Sequence, residues 1–405
     1  MPAVANAKTK QKKKWVRFRH WVVRRLAVLV IAPWSYLKYR IKITPLKGSQ
    51  KRQYLILMNH QTAFDQFFVG MAFKQPVYYI ASEDIFNLGL LSKLLRWAVA
   101  PIPIKKQTTD VQAVMNCMRV AKEGGTICLA PEGNRTYNGR PVYINPAITP
   151  LVKKLGLPLA IFRIEGGFGV QPRWSDVCRK GGMKAYVSRV IEPEDYKDLS
   201  KEELYQLICK ELDVDETKVE GAYPHLKAAE YLERAMYVCP ECGLSEFESQ
   251  GVTFRCKKCG LSGTYQPDKT LKGTGKDFPF RFLADWYDYQ NDYVNQLDAV
   301  NLPDEPIYQD HVQLSLVQAY TKKEILQQET PLAIYPNRLI VGDLTMPIED
   351  INVITVLGKN KLNIYFDKNI YQIQGDARFN GLKYMNLFHR IRNQLSGDGK
   401  TFLGI

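Results

Sequence analysis

The first 52 residues contain no Asp or Glu, against 15 Lys and Arg. The chain's formal net charge is +15, so the remaining 41 basic and 41 acidic residues cancel. The charge excess belongs to the N-terminal stretch and not to the body of the chain, and no nucleic-acid partner is expected of that body. Long apolar runs are also missing. Leu26 to Leu37, broken by Pro33-Trp34, is too short to span ~30 Å of hydrocarbon, and no small-residue cleavage site comes after it, so neither a membrane span nor a secretory signal is expected. No G-x-S-x-G nucleophile elbow is present. Glu165-Gly166-Gly167-Phe168-Gly169 is rich in glycine but lacks the spacing of either nucleotide fingerprint, and reads as a tight turn where a strand ends. No internal repeat is found.

What is there begins with the basic stretch. Lys8 to Lys14 is a charge run, a solvated tail by composition. Trp15, Phe18, Trp21, Trp34 and Tyr36 then alternate with arginines. That mixture suits a helix lying in a membrane interface and drawn to anionic headgroups; a core helix over 21–37 is the alternative.

Beyond residue 52 the texture alternates. Strand-like runs at 54–58, 77–81, 100–104, 126–130, 159–163 and 183–191 are separated by helical patterns at 66–72, 88–99, 111–122 and 146–155. The expected fold class is α/β, a mostly parallel central sheet with flanking helices. In such sheets reactive residues gather on loops after strands. One such loop is Asn59-His60-Gln61-Thr62-Ala63-Phe64-Asp65. On an ideal helix residues five apart lie about 140° from each other, so His60 and Asp65 meet only if the histidine stays on the loop. Thr62 is expected to cap the helix, with Thr62-x-x-Asp65 as a capping box. His60 would then offer one ring nitrogen as a base while Asp65 holds the other. A bare H-x4-D also fits an ordinary helix start with a polar loop histidine.

Its companions decide. Asn59-His60-x4-Asp65, then Ile102-Pro103-Ile104-Lys105-Lys106, then Pro131-Glu132-Gly133-Asn134-Arg135-Thr136, then Leu157-Pro158-Leu159 occur in an order and spacing that resembles the glycerolipid acyltransferases. More narrowly it resembles bacterial 1-acyl-sn-glycerol-3-phosphate acyltransferases that carry a C-terminal extension. The resemblance covers residues 53–165. It implies catalysis by His60 and Asp65, with the substrate's own hydroxyl in the place of a triad serine. It also implies an acceptor site made by Lys105, Lys106, Glu132, Gly133 and Arg135, cations there meeting a phosphate monoester. Three positions depart from the family pattern. Lys105-Lys106 stands where Asp-Arg is usual and loses the bidentate fork. Ala130 and Asn134 replace an aromatic and a threonine, and Ile161-Phe162 lacks a second proline. These bear on the acceptor more than on the reaction.

Eight cysteines fall into two groups. Cys117, Cys128, Cys178 and Cys209 are scattered. Cys239-x2-Cys242-x13-Cys256-x2-Cys259 forms two knuckles, each followed by glycine, a spacing suited to one structural zinc bound by four thiolates. Two disulfides are the competing reading; scattered free thiols favour a reducing, cytoplasmic setting instead.

The organisation expected is a basic amphipathic membrane-docking arm over 1–50, an acyltransferase domain with a charged helical tail over 51–236, a zinc ribbon over 237–268, and a linker over 269–309. Short strands and hairpin turns come next over 310–398, closed by a helix with Phe379, Leu382, Met385, Phe388, Ile391 and Leu395 on one side. By pattern this last part resembles pleckstrin-homology/GRAM-like domains. The function implied is acyl transfer from a thioester of CoA or acyl carrier protein to lysophosphatidic acid, giving phosphatidic acid at the cytoplasmic face of the membrane, where the enzyme sits as a peripheral, monotopic protein. Another lysolipid acceptor, or a non-catalytic adaptor binding membrane or protein, are the alternatives.

Overall fold

The computed structural model describes residues 14–82, 85–86, 89–104, 110–317 and 323–397. The Lys8–Lys14 run, apart from Lys14, and both Lys105 and Lys106 lie outside the described residues.

Helix α1 (Phe18–Tyr39) leads into β1 (Ile41–Thr44) and β2 (Leu55–Met58), followed by α2 (Asp65–Ala72), β3 (Val77–Ser82), α3 (Leu90–Ala98), β4 (Ile102–Ile104), α4 (Val111–Lys122), β5 (Thr126–Leu129), α5 (Ile148–Leu155) and β6 (Leu159–Glu165). The body ends with α6 (Gly167–Val170), β7 (Met183–Ile191), α7 (Pro193–Tyr196) and α8 (Lys201–Leu212). The seven strands form one sheet in the order β1-β7-β6-β2-β5-β3-β4. All neighbours are parallel except β6 and β7. Strand β2 is buried throughout, because the side-chain period of two sends its residues into two different cores. Ile56 and Met58 join Phe68, Val69, Phe73 and Phe162 on one face. Leu55 and Leu57 join Cys117, Val120, Val152 and Ile208 on the other.

Three local expectations are corrected. The helix at 18–39 runs through Pro33 without a break. The hydrogen bond a proline removes is the one to the residue four back, here the exposed Leu29. Residues 1–50 are not wholly an arm: Ile41–Thr44 pairs with β7 in the sheet, and His20, Ser35 and Tyr39 are buried. The tail over 192–236 is helical only to Leu212; from 213 the chain is irregular, apart from a short 3-10 turn at Leu232–Arg234.

Beyond it, β8 (Val238–Cys239) and β9 (Gly243–Leu244) form a small ladder. Strands β10 (Phe247–Gln250), β11 (Thr253–Cys256), β12 (Ser262–Tyr265) and β13 (Leu271–Gly273) make a four-stranded antiparallel sheet. Helix α9 (Leu283–Gln296) comes next. A second seven-stranded sheet is antiparallel throughout. It comprises β14 (Tyr308–Val317), β15 (Lys323–Ile334), β16 (Arg338–Val341), β17 (Leu344–Pro347), β18 (Ile351–Leu357), β19 (Lys361–Phe366) and β20 (Asn369–Gln374), in the order β17-β16-β15-β14-β20-β19-β18. Helix α10 (Gly381–Leu395) covers it with Leu382, Met385, Phe388 and Ile391, whereas Leu395 is 46% exposed and leaves the expected stripe. One continuous core runs through all of these elements and takes in Tyr137, Phe168 and Trp174 from the body.

Candidate active site

The C-terminal ends of β2, β5 and β6, adjacent and parallel, open on one edge of the first sheet. Asn59 is buried where β2 ends. Its amide Nδ2 donates to the Ile164 carbonyl at 2.9 Å, and its Oδ1 accepts from the Ile164 N–H at 2.8 Å. The side chain thus carries the β2–β6 pairing one step past the strand and fixes where the next residue leaves the sheet.

That residue is His60. Its Nδ1 lies 2.8 Å from Asp65 Oδ2. Asp65 has no exposed surface and accepts in addition from the Gln61 N–H at 2.6 Å, the Thr62 N–H at 2.9 Å and the Thr62 hydroxyl at 2.6 Å. A carboxylate that only accepts makes His60 Nδ1 the donor, so in the neutral imidazole Nε2 is the nitrogen left to act as a base. The His60 side chain is 24% exposed, and Nε2 has no protein partner among the described residues. Helix α2 begins at Asp65 itself. Phe64 is its N-cap residue and makes no side-chain cap bond, so Thr62 does not cap the helix as expected. Its hydroxyl accepts from the Phe64 N–H and donates to Asp65, so it braces the loop.

The loop after β5 lies alongside. The His60 N–H donates to Glu132 Oε2 at 3.4 Å, and the Thr136 N–H to the His60 carbonyl at 3.3 Å. Glu132 is buried, and burial pushes its carboxyl well above the usual range; the Asp65 charge pushes the same way and the His60 N–H opposes. Gly133 adopts φ +68 with nothing within 4 Å of where a Cβ would stand, so the turn needs glycine and the space above it is open. The Arg135 guanidinium has no ion-pair or hydrogen-bond partner among the described residues. Burial, then the neighbouring Arg173, pull its pKa down to about 10, with Asp65 acting against them. A desolvated cation beside a second cation is a place where an anion gains most.

The two loops therefore bring His60, Asp65, Glu132, Gly133 and Arg135 to one edge of the sheet, with the His60 side chain partly exposed and the Arg135 cation unpaired among the described residues. Asn59 opens the first sequence block without a role assigned to it, and Arg173 lies in none of the blocks. Asn59 carried a usable signal, a polar residue directly after a four-residue apolar strand; Arg173 carried none.

The four cysteines of the quartet lie together. Sγ of Cys239 is 3.5 Å from that of Cys259, Sγ of Cys242 is 3.6 Å from that of Cys256, and all four fall within 4.8 Å of one another. Zinc–sulfur bonds of about 2.3 Å in a tetrahedron put sulfurs roughly 3.8 Å apart, whereas a disulfide needs about 2.05 Å. The residues fit a metal ion held by four thiolates. Gly243 and Gly260, each with positive φ, turn the two knuckles.

Comparison with known proteins finds similarity over part of the chain. Residues 40–163 match the family model described as Acyltransferase. A chloroplastic 1-acyl-sn-glycerol-3-phosphate acyltransferase of Brassica napus is 22% identical over 183 residues, 43% of this chain and 51% of that protein. One from Arabidopsis thaliana is 23% identical over 186 residues, 43% of this chain and 49% of that protein. The chain thus spans about half the length of the curated relatives it matches. The crystal structure of a 1-acyl-sn-glycerophosphate acyltransferase from Thermotoga maritima aligns with a TM-score of 0.39 at 19% identity, over 47% of this chain and 77% of that one. The family-model match lies within the body and stops well before the cysteine quartet.

Proposed function

We propose that the protein transfers a long-chain acyl group from a thioester, acyl-CoA or acyl carrier protein, to the sn-2 hydroxyl of 1-acyl-glycerol-3-phosphate, forming phosphatidic acid. The observation that carries this reading is the His60–Asp65 pair, on the same edge of the sheet as Arg135, a cation unpaired among the described residues. The names of the curated relatives point the same way. In the reaction, His60 Nε2 accepts the hydroxyl proton as the oxygen attacks the thioester carbonyl, and Asp65 stabilises the imidazolium that forms. The tetrahedral intermediate expels the thiolate, which takes the proton back from His60. Arg135, with Lys105 and Lys106 from the second block, meets the acceptor's phosphate. Glu132, its carboxyl pushed upward by burial, orients the acceptor from the loop above Gly133.

The membrane would present that acceptor. Helix α1 exposes Phe18, Val22, Leu26, Leu29, Val30 and Leu37 along one side, and α3 exposes Leu90, Leu94 and Trp97. Among the described residues no helix is long and apolar enough to cross a membrane. An apolar stripe flanked by Arg17, Arg19, Arg24 and Arg25 suits a monotopic attachment to an anionic, cytoplasmic surface. One zinc ion on Cys239, Cys242, Cys256 and Cys259 would hold the ribbon's knuckles as a structural centre.

The test is turnover by purified protein with labelled thioester and a panel of lysolipids, read by lipid mass spectrometry, with His60→Ala as the control. Phosphatidic acid from the native chain and none from the variant supports the reading. Product from another lysolipid alone would reassign the acceptor, and equal turnover by the variant would remove His60 from the mechanism.

A further inference from the structure

Arg173 is a charged residue only 5% exposed, on the segment between α6 and β7, and none of the sequence blocks includes it. Its guanidinium stacks over the Tyr137 ring at 4.2 Å. One arm, Nη1, donates to the Arg135 carbonyl at 3.1 Å. The other, Nη2, donates to the Val356 carbonyl at 3.3 Å, on β18 of the C-terminal sheet. A single buried cation thus ties the backbone of Arg135 to an element 183 positions from itself.

Parallel ties surround it. Lys359, on the β18–β19 turn, donates to the Ser175 carbonyl at 2.6 Å and pairs with Asp176. Asp176 also accepts from Arg234, whose guanidinium reaches the Trp174 and Ala377 carbonyls as well. On the other side of the loop, Arg140 pairs with Asp285 at 2.6 Å and with Asp288, both on α9, and Tyr137 stacks on Tyr287. Apart from the Arg234–Ala377 bond, which lies within the extension, each of these contacts joins the loops carrying Arg135 or Arg173 to residues beyond 230. Two carbonyls held by one planar fork fix a backbone position far better than one flexible amine could.

We propose that Arg173 is a positioning residue for Arg135, and that the C-terminal extension acts through it, as a built-in buttress of the acceptor's phosphate site. The inference rests on the acyl-transfer reading for its kinetic arm and on geometry alone for its structural arm. It assigns the extension a part in acceptor recognition and none in handling the thioester.

The experiment uses the full chain with lysophosphatidic acid as acceptor and a saturating acyl thioester, in Arg173→Met, Arg173→Lys and Lys359→Met. Arg173→Met should raise the acceptor KM by about tenfold and leave the thioester KM within about twofold, because it removes ground-state and transition-state binding alike. Arg173→Lys, able to reach one carbonyl, should recover part of that loss. Lys359→Met, at a partly exposed turn, should move the acceptor KM the same way by about threefold with little change in melting temperature, and it decides the matter if Arg173→Met does not fold. Hydrogen exchange over residues 131–137 should quicken in each variant that folds, whether or not any lipid is turned over. Faster exchange with no turnover by the native chain would retain the buttress and discard the reaction. An acceptor KM within about twofold of native in every folded variant, equal rises in both KM values, or unchanged exchange would overturn the proposal.

Discussion

Replacing Asp65 by Asn tests the site at its least exposed point. The carboxylate takes four donors: His60 Nδ1 at 2.8 Å and the Gln61 N–H at 2.6 Å on Oδ2, with the Thr62 N–H at 2.9 Å and the Thr62 hydroxyl at 2.6 Å on Oδ1. An amide keeps one oxygen and turns the other into a donor. If the NH2 faced His60, it would oppose the Gln61 N–H and force the imidazole into the other tautomer. If it faced Thr62, the hydroxyl could rotate to accept, and the Thr62 N–H could still reach Oδ2 at 3.0 Å. The second orientation leaves fewer buried donors stranded, at about 1–3 kcal/mol each, and is the one expected. His60 then retains Nδ1–H and its free Nε2. What disappears is the negative charge under the imidazolium. A hydrogen bond to a charged partner is worth about 1.5–3 kcal/mol, which at 1.36 kcal/mol per decade sets the loss in kcat at roughly 10- to 100-fold. The measurement is kcat at saturating thioester and acceptor, with both KM values and the melting temperature alongside. Native kcat would show that the imidazolium needs no anion beneath it. A fall of about 10⁴-fold with native stability would show that the amide chose the other orientation and the tautomer was lost.

Glu132 supplies a pH test. Its pKa is raised on folding, chiefly by burial, so its contribution to stability is complete below about pH 4.5 and is lost as pH rises toward the folded value. Glu132→Gln should therefore melt with the native chain at pH 4 and progressively above it as pH rises, by roughly 1 °C per kcal/mol relieved in a chain of 405 residues; a constant offset across pH would contradict the burial argument. Elemental analysis of protein prepared without chelator should find one zinc per chain. Cys256→Ser should lose that zinc and much of the ribbon's stability, while any folded fraction keeps more of its turnover. Leu29 and Val30 are 72% and 71% exposed on α1, so changing both to Glu should leave the fold intact and weaken binding to anionic vesicles by about tenfold or more. Unchanged vesicle affinity would place attachment elsewhere. Removing residues 1–40 is the poorer experiment, because it also strips Tyr39 from the core beside Phe64 and Phe68.

What the sequence determined by itself was local or periodic. His60 and Asp65 stand five residues apart, so one short loop after an apolar strand suffices to bring them together, and the structure shows them 2.8 Å apart. The alternation of strand and helix patterns through residues 53–191 specified a mostly parallel sheet, because buried strands and amphipathic helices leave different periods in the chain. The spacing of the cysteine pairs was enough to bring four sulfurs within 4.8 Å. Tertiary structure alone decided the rest. Pro33 signals a break, yet α1 continues past it, since packing outweighs one missing hydrogen bond. The β1 segment is too short for its pattern to say that it joins the sheet; its partner β7 lies more than a hundred residues on. Arg173 reads as an ordinary surface arginine, because contacts 38 and 183 residues away leave no period and no motif. They arise only when the core of the C-terminal part closes over Tyr137, Phe168 and Trp174 of the body, and there the later elements come to rest on the loops that carry Arg135 and Arg173.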